Sequence, residues 1–135
     1  MDGRVSRVLL DTSALLYWTL RPATLPERAR RAIADAAGDE VIVSAISLWE
    51  VGLKVQRGTL DLGLPFEAYV ERLRRVERLT LAPVDVRVWL RVLELPWEHR
   101  DPANRVIIAT AEVLDVPVVT SDEAMRRYTD RALWS

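Results

Sequence analysis

Arg7-Val8-Leu9-Leu10-Asp11-Thr12-Ser13 is the stretch on which the reading of this chain turns. A short apolar, β-rich run stops at an acid, and two hydroxyl residues suited to a helix start follow it. The same grammar returns near the other end, where Val118-Val119-Thr120-Ser121 runs into Asp122. In an open parallel sheet, ligands bind outside the carboxyl ends of the strands, so acids delivered there from distant sequence can converge.

Between these two stretches, strand-like and helix-like segments alternate. The first strand is expected over Arg7 to Leu10, and a helix from Ser13 carries Leu15, Leu16 and Leu20 to a stop at Pro22. Thr24-Leu25-Pro26-Glu27 has capping-box spacing, and Ala29, Ala32, Ile33 and Ala36 follow at helical intervals up to Gly38. Val41-Ile42-Val43 reads as a strand buried on both faces. Ser44 to Gln56 reads as a helix with Ile46, Trp49 and Leu53 on one face, ended by Gly58. Phe66, Tyr69, Val70, Leu73 and Val76 mark another helix. A third strand is expected over Leu79 to Val84, then a helix capped by Asp85 that carries Val88, Trp89, Val92 and Leu93. Asp101-Pro102 opens a helix through Leu114, Val116 to Thr120 gives the fourth strand, and Asp122 caps a short helix to Tyr128. Ala132-Leu133-Trp134 suits a small edge strand. Short right-handed crossovers between such elements make a parallel sheet of four to five strands with helices on both faces, a three-layer α/β/α sandwich.

The chain of 135 residues suits one domain spanning 1–135, since no linker, repeat or low-complexity tract interrupts it. Cysteine is absent, which excludes disulfide frameworks and thiolate metal sites and suits a reducing cytosol. Met1-Asp2-Gly3-Arg4 leads directly into the first strand, so no signal peptide is expected. No apolar run reaches the roughly 20 residues that span a bilayer, and no membrane partner is expected. The formal net charge of −1 does not announce nucleic-acid binding. Every basic residue except Lys54 is arginine, whose fork suits phosphate, although biased base composition explains that usage equally well.

Four acids fall at or one turn beyond predicted strand ends: Asp11, Glu50, Asp101 and Asp122. Each has a structural explanation. Asp11 can cap a helix, but Thr12 and Ser13 also can, so the carboxylate is not needed there. Ser47-Leu48-Trp49-Glu50 matches a capping box, yet Ser44 already starts that helix and places Glu50 inside it, beside an apolar stripe. Asp101 before Pro102 is a strong N-cap. Asp122 is a plausible cap as well. Clustered carboxylates repel by roughly 4 kcal/mol per pair at about 4 Å and an effective dielectric near 20, so such a group holds a divalent cation or raises a pKa. The single histidine, His99, excludes a His-rich metal site. The five tryptophans read as core packing.

The motifs together resemble the PIN-domain family, specifically the VapC-type toxins of toxin–antitoxin modules. The resembling stretches are Leu9 to Leu15, Val43 to Lys54, His99 to Ala111 and Val118 to Asp122. The resemblance implies a Mg²⁺- or Mn²⁺-dependent endoribonuclease in which Asp11, Glu50 and Asp122 are the first, second and last acids. It further implies a cytoplasmic homodimer inhibited by a small antitoxin whose segment fills the cleft. Relatives usually read His-x-Asp-Pro-x-Asp-Arg at the third position, whereas here the second aspartate of that motif is Asn104. Asp101, one turn earlier, stands as the replacement, and the amide oxygen of Asn104 remains a neutral ligand. Ser13, Thr120 and Arg105 are candidate supporting or phosphate contacts, and Arg72, Arg75 and Arg78 are candidates to follow an RNA backbone.

Three other readings compete with this one. A haloacid-dehalogenase-type phosphotransferase needs Asp-x-Asp, but position 13 is serine. A response-regulator receiver needs an acidic pair before its phosphoacceptor, and Leu9-Leu10 supplies none. The third is a degenerate PIN fold that only binds RNA or a protein.

Overall fold

The computed structural model describes residues 6–135. The expectations about Met1 to Arg4, and about where the domain begins, lie outside the described residues. The chain runs β1 (Arg7–Leu10), α1 (Thr12–Leu20), a 3₁₀ turn (Pro22–Thr24), α2 (Glu27–Ala36), β2 (Glu40–Ser44), α3 (Ala45–Gln56), α4 (Phe66–Arg74), β3 (Leu79–Ala82), α5 (Val86–Glu94), α6 (Pro102–Leu114), β4 (Val118–Val119), α7 (Glu123–Tyr128) and β5 (Ala132–Leu133). The five strands are all parallel, in the order β3-β2-β1-β4-β5. Strand order reverses at β1, which has β2 on one side and β4 on the other. A crevice therefore opens outside the carboxyl ends of β1 and β4, where Asp11 and Asp122 follow.

The apolar strands lack alternation because both faces of the sheet are covered. Val8, Leu10, Val41, Val43 and Val119 point into one core with Leu15, Ala29, Ile33, Tyr69 and Leu73. Leu9, Ile42 and Val118 point into the other with Val88, Val106, Ile107, Ile108 and Met125. Full burial of each such aliphatic side chain contributes roughly 1.5–3 kcal/mol, so either layer of helices is held firmly to the sheet. The α/β/α sandwich is the architecture read from the sequence.

Local departures have local causes. The fourth strand is shorter than Val116 to Thr120, because Pro117 has no N–H and the Val116 N–H closes the end of α6 on the Ala111 carbonyl at 3.0 Å. The third strand stops at Ala82, ahead of Pro83. The capping box at Thr24 does not form. Thr24 lies in the 3₁₀ turn with its hydroxyl donated to the Arg21 carbonyl, Pro26 occupies the cap, and Glu27 pairs with Arg30 and Arg31. Core packing fails for two of the tryptophans, since Trp49 and Trp89 are about half exposed at 55% and 48%. Trp89 belongs to an exposed stripe on α5 with Val86, Leu90 and Leu93.

Candidate active site

Three of the four candidate acids begin helices. Asp11 caps α1, Asp101 caps α6 and Asp122 caps α7, each with one carboxylate oxygen accepting backbone N–H groups of the first turn. Those N-termini open onto the crevice at the strand ends, and Glu50 reaches it from the middle of α3. The resulting cleft of about 330 Å³ is lined by Asp11, Glu50, Asp101 and Asp122, with Thr12, Ser13, Leu16, Tyr17, Arg21, Lys54, Asn104 and Ser121. Four carboxylates separated by up to 111 positions in sequence thus share one small space.

Asp11 is sealed at 3% exposure. Its Oδ1 accepts the Ala14 N–H and the Ser13 hydroxyl, both at 2.8 Å, and its Oδ2 accepts the Thr120 hydroxyl. Burial pushes its pKa up to about 6. The three hydrogen bonds pull it down, and the nearby Asp122 carboxylate adds to the rise. Glu50 is also shifted upward, first by burial and then by the Asp101 carboxylate, against the opposing effects of the Thr12 hydroxyl bond and Lys54. The acids therefore act on one another in two couples, Asp11 with Asp122 and Glu50 with Asp101. Thr12 Oγ1 also lies 2.9 Å from Ser47 Oγ, so Ser47 is a buried member of this network and not the cap of α3. That cap is Ser44.

Asp122 Oδ1 accepts the Met125 N–H at 2.8 Å, and its Oδ2 accepts the Asn104 amide at 3.3 Å. Thr120 links the two strand ends: its hydroxyl donates to Asp11 and accepts the Asp122 N–H at 3.0 Å. Ser13 and Ser121 join through their hydroxyls at 2.9 Å. Asp101 Oδ1 accepts the Ala103 N–H at 2.9 Å and the Asn104 N–H at 3.4 Å. The Asp101 N–H in turn donates to His99 Nδ1 at 3.0 Å.

The chain that builds this cleft is matched by the PIN domain model over residues 8–131. The chain belongs to the PIN-domain family. Ribonuclease VapC22 of Mycobacterium tuberculosis is 30% identical to this PIN domain over 125 residues, covering 92% of this chain and 93% of that protein. The structure of VapBC2 from Rickettsia felis, bound to a DNA fragment from its promoter, superposes with a TM-score of 0.69 at 14% identity, covering 94% of this chain and 96% of that one. FitAcB from Neisseria gonorrhoeae gives a TM-score of 0.60 at 24% identity, covering 95% and 96%. At such identities these likenesses establish the shared fold.

The PIN family implies a divalent cation. Among the described residues, no three His, Cys, Asp or Glu side chains stand together as a ready-made cage. The donor set nonetheless suits Mg²⁺ or Mn²⁺ in kind, being composed of carboxylate, amide and hydroxyl oxygens. Mg²⁺ retains several waters and needs only one or two carboxylates, which the mutually repelling couples in this PIN domain supply.

Not every candidate reaches the cleft of this PIN domain. Arg105 does not: its guanidinium donates to the backbone carbonyls of Val92 at 2.7 Å, Leu95 at 3.5 Å and Trp97, tying the α5–α6 loop to α6. It is a loop clamp, not a phosphate contact. Arg72 faces an apolar groove between α1 and α4 instead. Conversely, Tyr17, Arg21 and Lys54 line the cleft without having been singled out. Helical spacing carried the signal: Tyr17 and Arg21 continue the face of Ser13 at four-residue steps, and Lys54 follows Glu50 by four.

Proposed function

We propose that this PIN domain is a Mg²⁺- or Mn²⁺-dependent endoribonuclease, the toxin of a toxin–antitoxin pair, acting in the cytoplasm. The observation that carries the reading is the convergence of Asp11, Glu50, Asp101 and Asp122, from four different elements, in one cleft at the carboxyl end of the sheet. Its resemblance to a ribonuclease over nearly its full length supports the same conclusion. The cation, when bound, supplies Lewis acidity that activates water and stabilises charge on the phosphate. Asp11 and Asp122 would hold it, with Asp101 and the Asn104 amide oxygen as further ligands. Thr120 and Ser13 fix the Asp11 carboxylate by hydrogen bonds. Glu50, steadied by Thr12 and made more basic by burial, takes in its carboxylate form the proton of the water that attacks phosphorus, while the P–O bond to the leaving sugar breaks and the departing oxygen takes a proton from solvent.

Two partner surfaces accompany the cleft. The α5 stripe of Val86, Leu90 and Leu93, exposed by 71%, 57% and 82%, suits a homodimer contact. The apolar groove lined by Trp18, Leu62, Leu64 and Tyr69 shares α1 with the cleft and suits an antitoxin segment. Leu93→Glu is expected to shift the particle mass by light scattering from dimer to monomer.

The deciding test is cleavage of RNA by purified protein in Mg²⁺ or Mn²⁺ against EDTA. Metal-dependent cleavage is expected. The non-catalytic reading has one observation of its own, the neutral Asn104 amide on Asp122 at the position where the family resemblance implies an acid. It requires that no RNA be cut and that Mn²⁺ leave the melting temperature unmoved.

A further inference from the structure

The cleft poses an electrostatic problem for any polyanion. It presents four carboxylates against two cations, Arg21 and Lys54, a formal excess of two negative charges facing an RNA backbone. A single divalent ion cancels that excess but leaves nothing to attract the phosphates on either side of the scissile one. Both cations line the cleft from helix C-terminal ends, Arg21 closing α1 and Lys54 in the last turn of α3, whereas Asp101, Asn104 and Asp122 line it from the starts of α6 and α7.

Both side chains are exposed, and among the described residues neither joins a carboxylate in an ion pair, although four carboxylates line the same cleft. Arg21 is held in place by other means. Its guanidinium carbon sits 4.7 Å from the centroid of the Tyr17 ring, the Arg21 backbone N–H closes α1 on the Tyr17 carbonyl at 2.8 Å, and the Trp134 ring braces Tyr17 edge-on at 5.3 Å. An arginine docked on an aromatic face keeps its fork of donors outward, oriented for bidentate pairing with two oxygens of a phosphate. A merely solvated cation at a helix C-terminus needs no such platform.

We propose that Arg21, on its Tyr17 platform, and Lys54 form the phosphate-contacting rim of the cleft, so that single-stranded RNA enters along the α1–α3 side. This rests on the ribonuclease reading and adds the residues that hold substrate. Because these contacts go to the backbone, they bind RNA of any sequence and present a phosphate to the acids of the cleft.

The test is binding of a fluorescent single-stranded RNA in Mn²⁺, in an Asp11→Asn background where cleavage is expected to be off, together with cleavage kinetics in the parent background. Arg21→Gln and Lys54→Gln are each expected to weaken binding about tenfold and to raise KM with kcat within about twofold. Each should also flatten the dependence of log affinity on log salt by about 0.7, the slope for one phosphate contact on a single strand. Arg21→Lys, which keeps the charge, should retain much of the affinity, and in the parent background the Mn²⁺-induced rise in melting temperature should survive each substitution at Arg21 and Lys54. Unchanged RNA affinity and salt slope in the double variant would overturn the proposal, as would a loss of kcat with KM unmoved. Failure of the parent protein to cleave RNA is a different result. It would defeat the ribonuclease reading, while the binding arm would still decide whether the rim holds RNA.

Discussion

At the β1–α1 junction Asp11 caps its helix from inside the protein, whereas at the start of α6 Asp101 caps its helix from the wall of the cleft. Both use Oδ1 for the backbone. They differ in the other oxygen. Asp11 Oδ2 is bonded by Thr120 on a buried side chain, while Asp101 Oδ2 has no hydrogen-bond partner among the described residues. Capping and metal binding are therefore not alternatives, because a carboxylate can give one oxygen to a helix and keep one for a ligand. What separates the two positions is burial: a charge on Asp11 is costly without a cation, whereas Asp101 keeps one oxygen unengaged on the wall of the cleft.

Asp11→Asn should break the comparison most severely. Asparagine preserves a cap but removes the charge, so cleavage should fall roughly a hundredfold or more, since Lewis-acid stabilisation amounts to several kcal/mol. Stabilisation by millimolar Mn²⁺, which raises stability by RT ln(1 + [L]/Kd), should vanish as well. The metal-free protein should become more stable at neutral pH, because a buried, repelled charge has gone. A large loss of metal-free stability in thermal melts, with Mn²⁺ stabilisation intact, would reduce Asp11 to a structural cap.

The same buried charge sets a pH dependence. The Asp11 pKa rises from 3.8 in the unfolded chain to about 6 in the native protein, so between those values the native state holds more protons. Metal-free stability should therefore fall as pH rises from about 4 to about 6, by about 3 kcal/mol for this group, and level off above. Glu50, also shifted upward, acts in the same direction. Urea titrations in EDTA across that range should show the decline in the parent and a much flatter profile in Asp11→Asn. A parent profile that rises through this window would contradict the assignment.

Much of this was legible in the sequence because the signals were local. Apolar runs and helical spacing showed the succession of strands and helices along the chain, and Pro102 and the acids at positions 11, 101 and 122 marked helix starts that the structure contains. Convergence of the four acids followed from one topological rule about parallel sheets. What stayed hidden depends on orientation. Arg105 carried the expected charge but turns into a loop of backbone carbonyls, and Trp49 and Trp89 carried the expected apolar surface but turn outward. The Thr24 box failed because the chain tightens into a 3₁₀ turn just before Pro26. Lys54 and Arg21 were readable in retrospect only because the structure shows which helix faces the cleft.

At Asp101 the effects are smaller and separable. Asp101→Asn should change stability by only tenths of a kcal/mol, and Asp101→Ala should cost about 1 kcal/mol through the lost cap. If the free oxygen serves the metal, both variants should lose activity to a similar degree despite this difference in melting temperature. Activity that tracks stability, lower in Ala and normal in Asn, would leave Asp101 as a cap alone.

The smallest effect is expected at Asn104, which joins Asp101 to Asp122. Its backbone N–H reaches Asp101 Oδ1 at 3.4 Å, and its amide donates to Asp122 Oδ2 at 3.3 Å. Asn104→Asp exchanges that donor for a carboxylate, turning an attraction toward Asp122 into a repulsion. In EDTA the melting temperature should drop slightly, by the equivalent of about 1 kcal/mol or less, because favourable interaction of the new charge with the N-terminus of α6 offsets part of the repulsion. In Mg²⁺ the sign should reverse, since an added charge beside the cation tightens its binding and lowers the concentration that half-saturates cleavage. Titrating Mn²⁺ against melting temperature gives the same comparison without relying on turnover. Should the half-saturating concentration stay fixed in Asn104→Asp while Asp101→Asn abolishes cleavage, the working third acid is Asp101, and Asn104 serves to hold Asp122 in place. A marked fall in that concentration would instead mean that position 104 faces the metal directly, and that the neutral amide weakens its hold on the ion.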